Sequence, residues 1–178
     1  MRKRIGMATM MALASCVPAP RGPVAPPPAR PAPPPAAISS AVPPRIDWRD
    51  VPLTPGRWLW RRDAGGASFS QYGMPGAAAL LSLRCDAGRR VVAIARAGSL
   101  GGGAATMTVT TSFGAFALPA RDGVRDVGGI VGELPVNDPR LDQLAFSRGR
   151  FLVDLPGRPR LVVPAWPEAA RVIEDCRG

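Results

Sequence analysis

Cysteine thiols, carboxylates and guanidinium groups are the chemically capable side chains of this 178-residue chain, because it contains 3 Cys, 13 Asp and Glu, 23 Lys and Arg, and no His. Without histidine, Ser-His-Asp and Cys-His catalysis are excluded and a zinc site of ordinary composition is not expected. There is also no G-x-S-x-G elbow, no Walker-type phosphate loop and no C-x-x-C pair. The expectation is a protein that is not an enzyme and carries neither metal nor other cofactor. Asp122, Asp126, Asp138, Asp142, Glu174 and Asp175 are the carboxylates that an acid/base pair of the glycoside-hydrolysis kind would draw on. Proximity in sequence sets no carboxyl separation, so a solvated surface is the plainer reading of them.

Two segments suggest anion binding. In Phe146-Ser-Arg-Gly-Arg-Phe151, an extended backbone puts Arg148 and Arg150 on one face, where two guanidinium forks can grip a phosphate or carboxylate. The competing reading is a turn at Gly149, with the arginines in water or paired with Asp142 and Asp154. The run Gly98-Ser-Leu-Gly-Gly-Gly103 looks like a phosphate cradle, but it lies between two strand patterns rather than opening a helix. It reads as a strand connection. Trp48, Trp58, Trp60 and Tyr72 have the chemistry of a sugar platform, although burial is the commoner use of such residues.

The elements that would carry these groups begin with a leader. Arg2, Lys3 and Arg4 precede a short apolar run over residues 5–14, too short to span a membrane permanently and shaped like a signal peptide. Leu13-Ala14-Ser15-Cys16 resembles the lipobox of bacterial lipoproteins. That resemblance implies cleavage before Cys16, a diacylglyceryl group on its sulfur and a further acyl chain on the new amino terminus. Multiple chains give durable attachment where one is marginal. Val17 stands where lipoproteins kept in the inner membrane of enteric bacteria carry Asp, so the resemblance points to the outer membrane.

Residues 17–44 are dominated by Pro and Ala, with Arg21 and Arg30 as the only charges. Proline fixes φ and removes donors, so the tract favours extended polyproline II and reads as a tether. Fully extended, its 28 positions reach about 85 Å at the rise of such a helix. A ligand for a proline-recognising module is the other use of such a tract. The division is therefore 1–15 signal peptide, 16–44 lipidated cysteine and tether, and 45–178 one folded domain of a size that supports a single core.

With Cys16 acylated, Cys85 and Cys176 remain, and an oxidising envelope favours a disulfide between them over two buried thiols. Such a bridge is worth about 4 to 5 kcal/mol in a loop-entropy model. The formal charge of +10 falls to +5 for the domain, whose 18 Arg face 13 acids once leader and tether cations are set aside. Those arginines are dispersed and not interleaved with aromatics, so nucleic acid is not an expected partner.

Within the domain the period is that of strands. Leu81, Leu83 and Cys85 alternate with Ser82 and Arg84; Val92 and Ile94 share a face; Met107 and Val109 oppose threonines. Similar patterns occur around Trp58 and Trp60, around Phe69, around Phe151, Val153 and Leu155, and in the segments GAFALPA, GGIVGEL and RLVVP. About seven to nine strands broken by Gly, Pro and Asp turns predict a mainly β fold, an antiparallel sandwich or small barrel. Asp138 and Pro139 start a short internal helix, and Pro167 starts a C-terminal helix whose Ala169, Val172, Ile173 and Cys176 form one stripe.

The pattern of WLWRR, LRC and FLVDLPGRPRLVVPAW is similar to small secreted bacterial β domains of the invasion-associated locus B type, from which no functional residue is transferred. The expected protein is an outer-membrane lipoprotein with its domain in the periplasm or at the cell surface. Its domain is expected to bind or scaffold without catalysis, its partner an anionic envelope polymer, peptidoglycan or lipopolysaccharide, or an envelope protein. An inhibitor of a host hydrolase and a carboxylate-based glycan hydrolase are the alternatives.

Overall fold

The computed structural model describes residue 22, residues 47–124 and residues 127–178. Cys16, the tether apart from Gly22, and Asp126 lie outside the described residues. The domain is mainly β. Nine strands form one antiparallel sheet in the order β1-β2-β3-β4-β7-β6-β5-β8-β9. They are β1 Arg57–Arg62, β2 Ser68–Gly73, β3 Leu81–Asp86, β4 Val91–Arg96, β5 Ala104–Thr111, β6 Gly114–Asp122, β7 Ile130–Pro135, β8 Arg150–Asp154 and β9 Leu161–Pro164. Helix α1, Pro139–Ala145, interrupts them, and α2, Pro167–Arg177, ends the chain.

The sheet curls until its outer strands meet. Just ahead of β1, the Thr54 amide donates to the Val162 carbonyl of β9 at 2.8 Å, and the Val162 amide donates to Thr54 Oγ1 at 3.2 Å. The Trp58 indole N–H of β1 donates to the Pro164 carbonyl at 2.8 Å. Strand edges are templates for unwanted pairing, and these bonds occupy part of both free edges. Inside the curl, Trp58 packs 5.2 Å from the Tyr72 ring and 6.4 Å from the Phe151 ring, joining β1, β2 and β8 in one core. Gly132 permits a close approach here, because a Cβ at that position would lie 2.0 Å from Leu118 Cδ1.

Alternation places Leu81, Leu83 and Cys85 of β3 inside, as the strand period predicts. Strand β2 is turned the other way from its hydrophobic appearance: Ser68, Ser70 and Tyr72 are buried and Phe69 is the half-exposed residue. Polar partners explain Ser68, whereas the buried Ser70 hydroxyl has none among the described residues. Ser68 Oγ donates to Asp175 of α2 at 2.6 Å and accepts from the Trp60 indole at 2.8 Å, while Phe69 outside carries the guanidinium groups of Arg61 and Arg84 near its ring. Polar groups with partners tolerate burial, and the face is set by tyrosine.

Helix α2 lies across β1 to β4 with Ala169, Val172, Ile173 and Cys176 buried. Full burial of a Val or Ile side chain stabilises by about 1.5 to 3 kcal/mol. A disulfide joins Cys176 to Cys85, with the Cα atoms 5.3 Å apart, and pins the last turn of α2 to β3. Helix α1 starts at Asp138, whose carboxylate accepts from the Arg140 amide at 2.9 Å, and buries Leu141 and Leu144.

Candidate functional site

Arg148 and Arg150 do not form the extended pair that would present both forks to one anion. Gly149 takes φ +75°, the Arg150 amide donates back to the Arg148 carbonyl at 2.9 Å, and the segment turns. Arg148 is exposed, whereas Arg150 Nη1 donates to the Val51 carbonyl at 2.8 Å and holds the chain ahead of β1. The turn at Gly149 is the arrangement found, without the pairing to Asp142 and Asp154: those acids face Arg177 at 2.7 Å and Arg160 at 3.8 Å.

The glycine-rich run 98–103 connects β4 to β5 and does cradle an anion, one supplied by the chain itself. The Asp122 carboxylate accepts from the Leu100 amide at 2.6 Å, the Gly102 amide at 2.8 Å and the Ser99 hydroxyl at 3.1 Å. Donors from Gly102 first and then Leu100 hold the Asp122 carboxyl below its usual range. Asp138 caps α1 and pairs with Arg140, and Asp175 pairs with Ser68 and with Arg62 at 3.1 Å. Glu174 is exposed. Among the described residues, the carboxyls of Asp63, Asp122, Glu133 and Asp138 are displaced in pKa, all downward, chiefly by hydrogen bonds to arginine or backbone. A general acid for glycoside hydrolysis needs the opposite displacement. The aromatic residues form no platform: Trp58 and Tyr72 are core, and Trp60 lies beneath Arg171, whose guanidinium is 3.6 Å from its ring centroid.

A concavity lies elsewhere among the described residues, a trough of about 910 Å³ lined by Arg84, Ala93, Arg121 and Glu133 among others. It arises from register. One row across the strands reads Arg84, Ala93, Glu133 and the next reads Ser82, Ala95, Val131, Arg121. Strand β4 sets Val91, Ala93 and Ala95 on this face, and Ala93 lies between Arg84 and Glu133, so the surface is low there and high on either side. Ala93, Val131 and Pro119 line the floor, and the Gly65-Gly66 turn closes one side.

The margins are ion-paired. Arg89 grips Glu133 bidentately, with both N–H···O distances 2.7 Å, and Arg84 pairs with Asp63. Arg121 lies 3.7 Å from Glu133 with three-quarters of its side chain exposed. Arg89 therefore holds the Glu133 carboxyl below its usual range, and the ion pair raises Arg89 in turn. Among the described residues the arrangement offers shape and fixed, ion-paired charge. Sequence periodicity missed it, although the outward alternation of Ala93 and Ala95 in RVVAIAR was the available signal.

Among the described residues, no cluster of three metal-ligating His, Cys, Asp or Glu side chains occurs, and no helix is long and apolar enough to cross a membrane. No known family, no curated protein and no solved structure matches the chain.

Proposed function

We propose that the chain is a bacterial envelope lipoprotein, acylated at Cys16, whose disulfide-closed domain is a non-catalytic binding module. The observation that carries the binding reading is the trough: an open, alanine-floored channel between ion-paired margins fits an extended polymer or peptide laid along it. Enclosed small-molecule pockets are deeper and more apolar than this. Within that reading the partner is an anionic envelope polymer, peptidoglycan or lipopolysaccharide, because the domain carries +5 and Arg121 is the most weakly committed cation at the trough. Among the described residues, the pairing of the wall carboxylates Asp86, Asp122 and Glu133 with arginine or backbone donors favours this over a carboxylate-based hydrolase.

Sedimentation with purified sacculi and with lipopolysaccharide tests the site. Ala93→Met fills the floor and Arg121→Ala removes the cation held only at 3.7 Å from Glu133; both should weaken binding, the second with reduced salt dependence. The double variant Arg148→Ala/Arg150→Ala should bind like the parent. Binding unchanged by Ala93→Met and Arg121→Ala rules out the trough, and no binding of the parent to either polymer turns the reading toward a protein partner.

A further inference from the structure

We infer that the end of the curled sheet where the N-terminal chain joins is a membrane-docking face, which seats on the lipid surface that holds the acyl anchor. The inference rests on the reading of Cys16 as the acylated residue and adds a second, non-covalent contact to it.

Three aromatic rings stand exposed at this end. Phe113 is 55% exposed at the tip of the β5–β6 turn, Phe146 is 64% exposed behind α1, and Trp166 is 46% exposed just before α2. Hydrogen bonds bring their loops together: the Ser112 amide donates to Ser147 Oγ at 3.0 Å, the Arg148 amide to Ser112 Oγ at 2.9 Å, and the Ala165 amide to the Gly149 carbonyl at 3.1 Å. Leu53, 42% exposed, joins them because Arg150 ties the adjacent Val51 carbonyl to the same corner. A tight turn ordinarily presents Gly, Asn or Asp to water, so a phenylalanine at its tip asks for an apolar partner.

The composition fits a lipid interface. Tryptophan and phenylalanine beside a cation, here the exposed Arg148, suit the boundary between headgroups and acyl chains, where rings enter and the guanidinium stays with phosphate. The position of the chain selects lipid over other occupants. The described domain begins with the Asp47–Asp50 turn, followed directly by Val51 at this corner. Everything before it leads back to Cys16. The docking face is therefore the end of the domain that the chain enters at Val51, coming from the side of Cys16 in sequence. A tether of this length keeps its domain at an effective concentration on the order of millimolar near the surface, so a weak patch suffices.

The test uses the full lipidated chain in phosphatidylethanolamine/phosphatidylglycerol vesicles whose acyl chains carry bromine, a short-range quencher of tryptophan. The parent-minus-Trp166→Phe difference isolates the Trp166 signal. Bromolipid should lower that signal by roughly half or more, and the variant Phe113→Ser/Phe146→Ser, which alters only exposed positions, should lose most of the quenching while still floating with vesicles. A parallel arm holds a Cys16→Ser chain on nickel-chelating lipid through an N-terminal histidine tag, so docking is read even if acylation fails. Quenching in the tagged arm with no flotation of the untagged chain retains the docking face and rejects the anchor. Absence of quenching in both arms overturns the docking face, including the case where residues 17–44 or a second copy covers the patch.

Discussion

Thr54 and Val162 hold each other by two hydrogen bonds, backbone to backbone at 2.8 Å and the Val162 amide to Thr54 Oγ1 at 3.2 Å. This pair joins the two ends of a nine-stranded sheet whose formal edges are β1 and β9. Thr54→Val keeps shape but removes the acceptor, leaving the Val162 amide without its partner. An unsatisfied buried donor costs about 1 to 3 kcal/mol, so the denaturation midpoint should fall with an unchanged slope. An unchanged midpoint would mean that the backbone bond at position 54 and the Trp58 to Pro164 bond hold the edges without the hydroxyl.

The disulfide has its own consequence. Non-reducing peptide mapping of oxidised protein should recover Cys85 joined to Cys176, and reduction should destabilise the domain by about 2 to 5 kcal/mol. The loss should appear first in α2, whose stripe packs on β1 to β4. Hydrogen exchange reads this directly. Uniform loss of protection across the domain would contradict a local pinning role.

Acid should loosen the β4–β5 connection through Asp122. Its carboxyl is held below the ordinary value by the Gly102 and Leu100 amides, so the folded state favours the ionised form. The stability this gives is fully present above the unfolded pKa and is lost as pH falls through the lower folded value. The stability gap between parent and Asp122→Asn should therefore be largest at neutral pH and shrink below about pH 4. A gap independent of pH would show that the contacts of the loop do not depend on the carboxylate charge.

Much of this architecture was legible in the sequence. The nine strands lie where alternation predicts them, and both helices begin at the Pro residues expected to start them, because one-sided burial imposes a period that local residues must satisfy. The orientation of β2 was not legible, since Ser68 is buried by a hydrogen bond to Asp175, 107 residues away. Arg148 and Arg150 leave the extended geometry for a local reason, the left-handed backbone at Gly149, which glycine permits but does not compel. The trough needed a pairing between β4 and β7 that skips two strands in sequence, so its rows could not be assembled from the order of residues alone.

Removing the trough's ion pair should separate its fold role from its binding role. Glu133→Gln frees Arg89 and adds positive charge beside Arg121, so binding to an anionic polymer should rise, while the loss of a bidentate pair should lower the melting temperature. Sedimentation and thermal melting on the same preparation give both readings. Weaker binding by this variant would argue against an anionic partner.

The proposed placement of the chain in the envelope rests on a Cys16 thioether, which metabolic labelling with an alkyne analogue of palmitate reads directly. The parent should take up the label and lose it in Cys16→Ser, whose precursor should also retain its leader. Label persisting in Cys16→Ser, or absent from the parent, would contradict the lipoprotein reading.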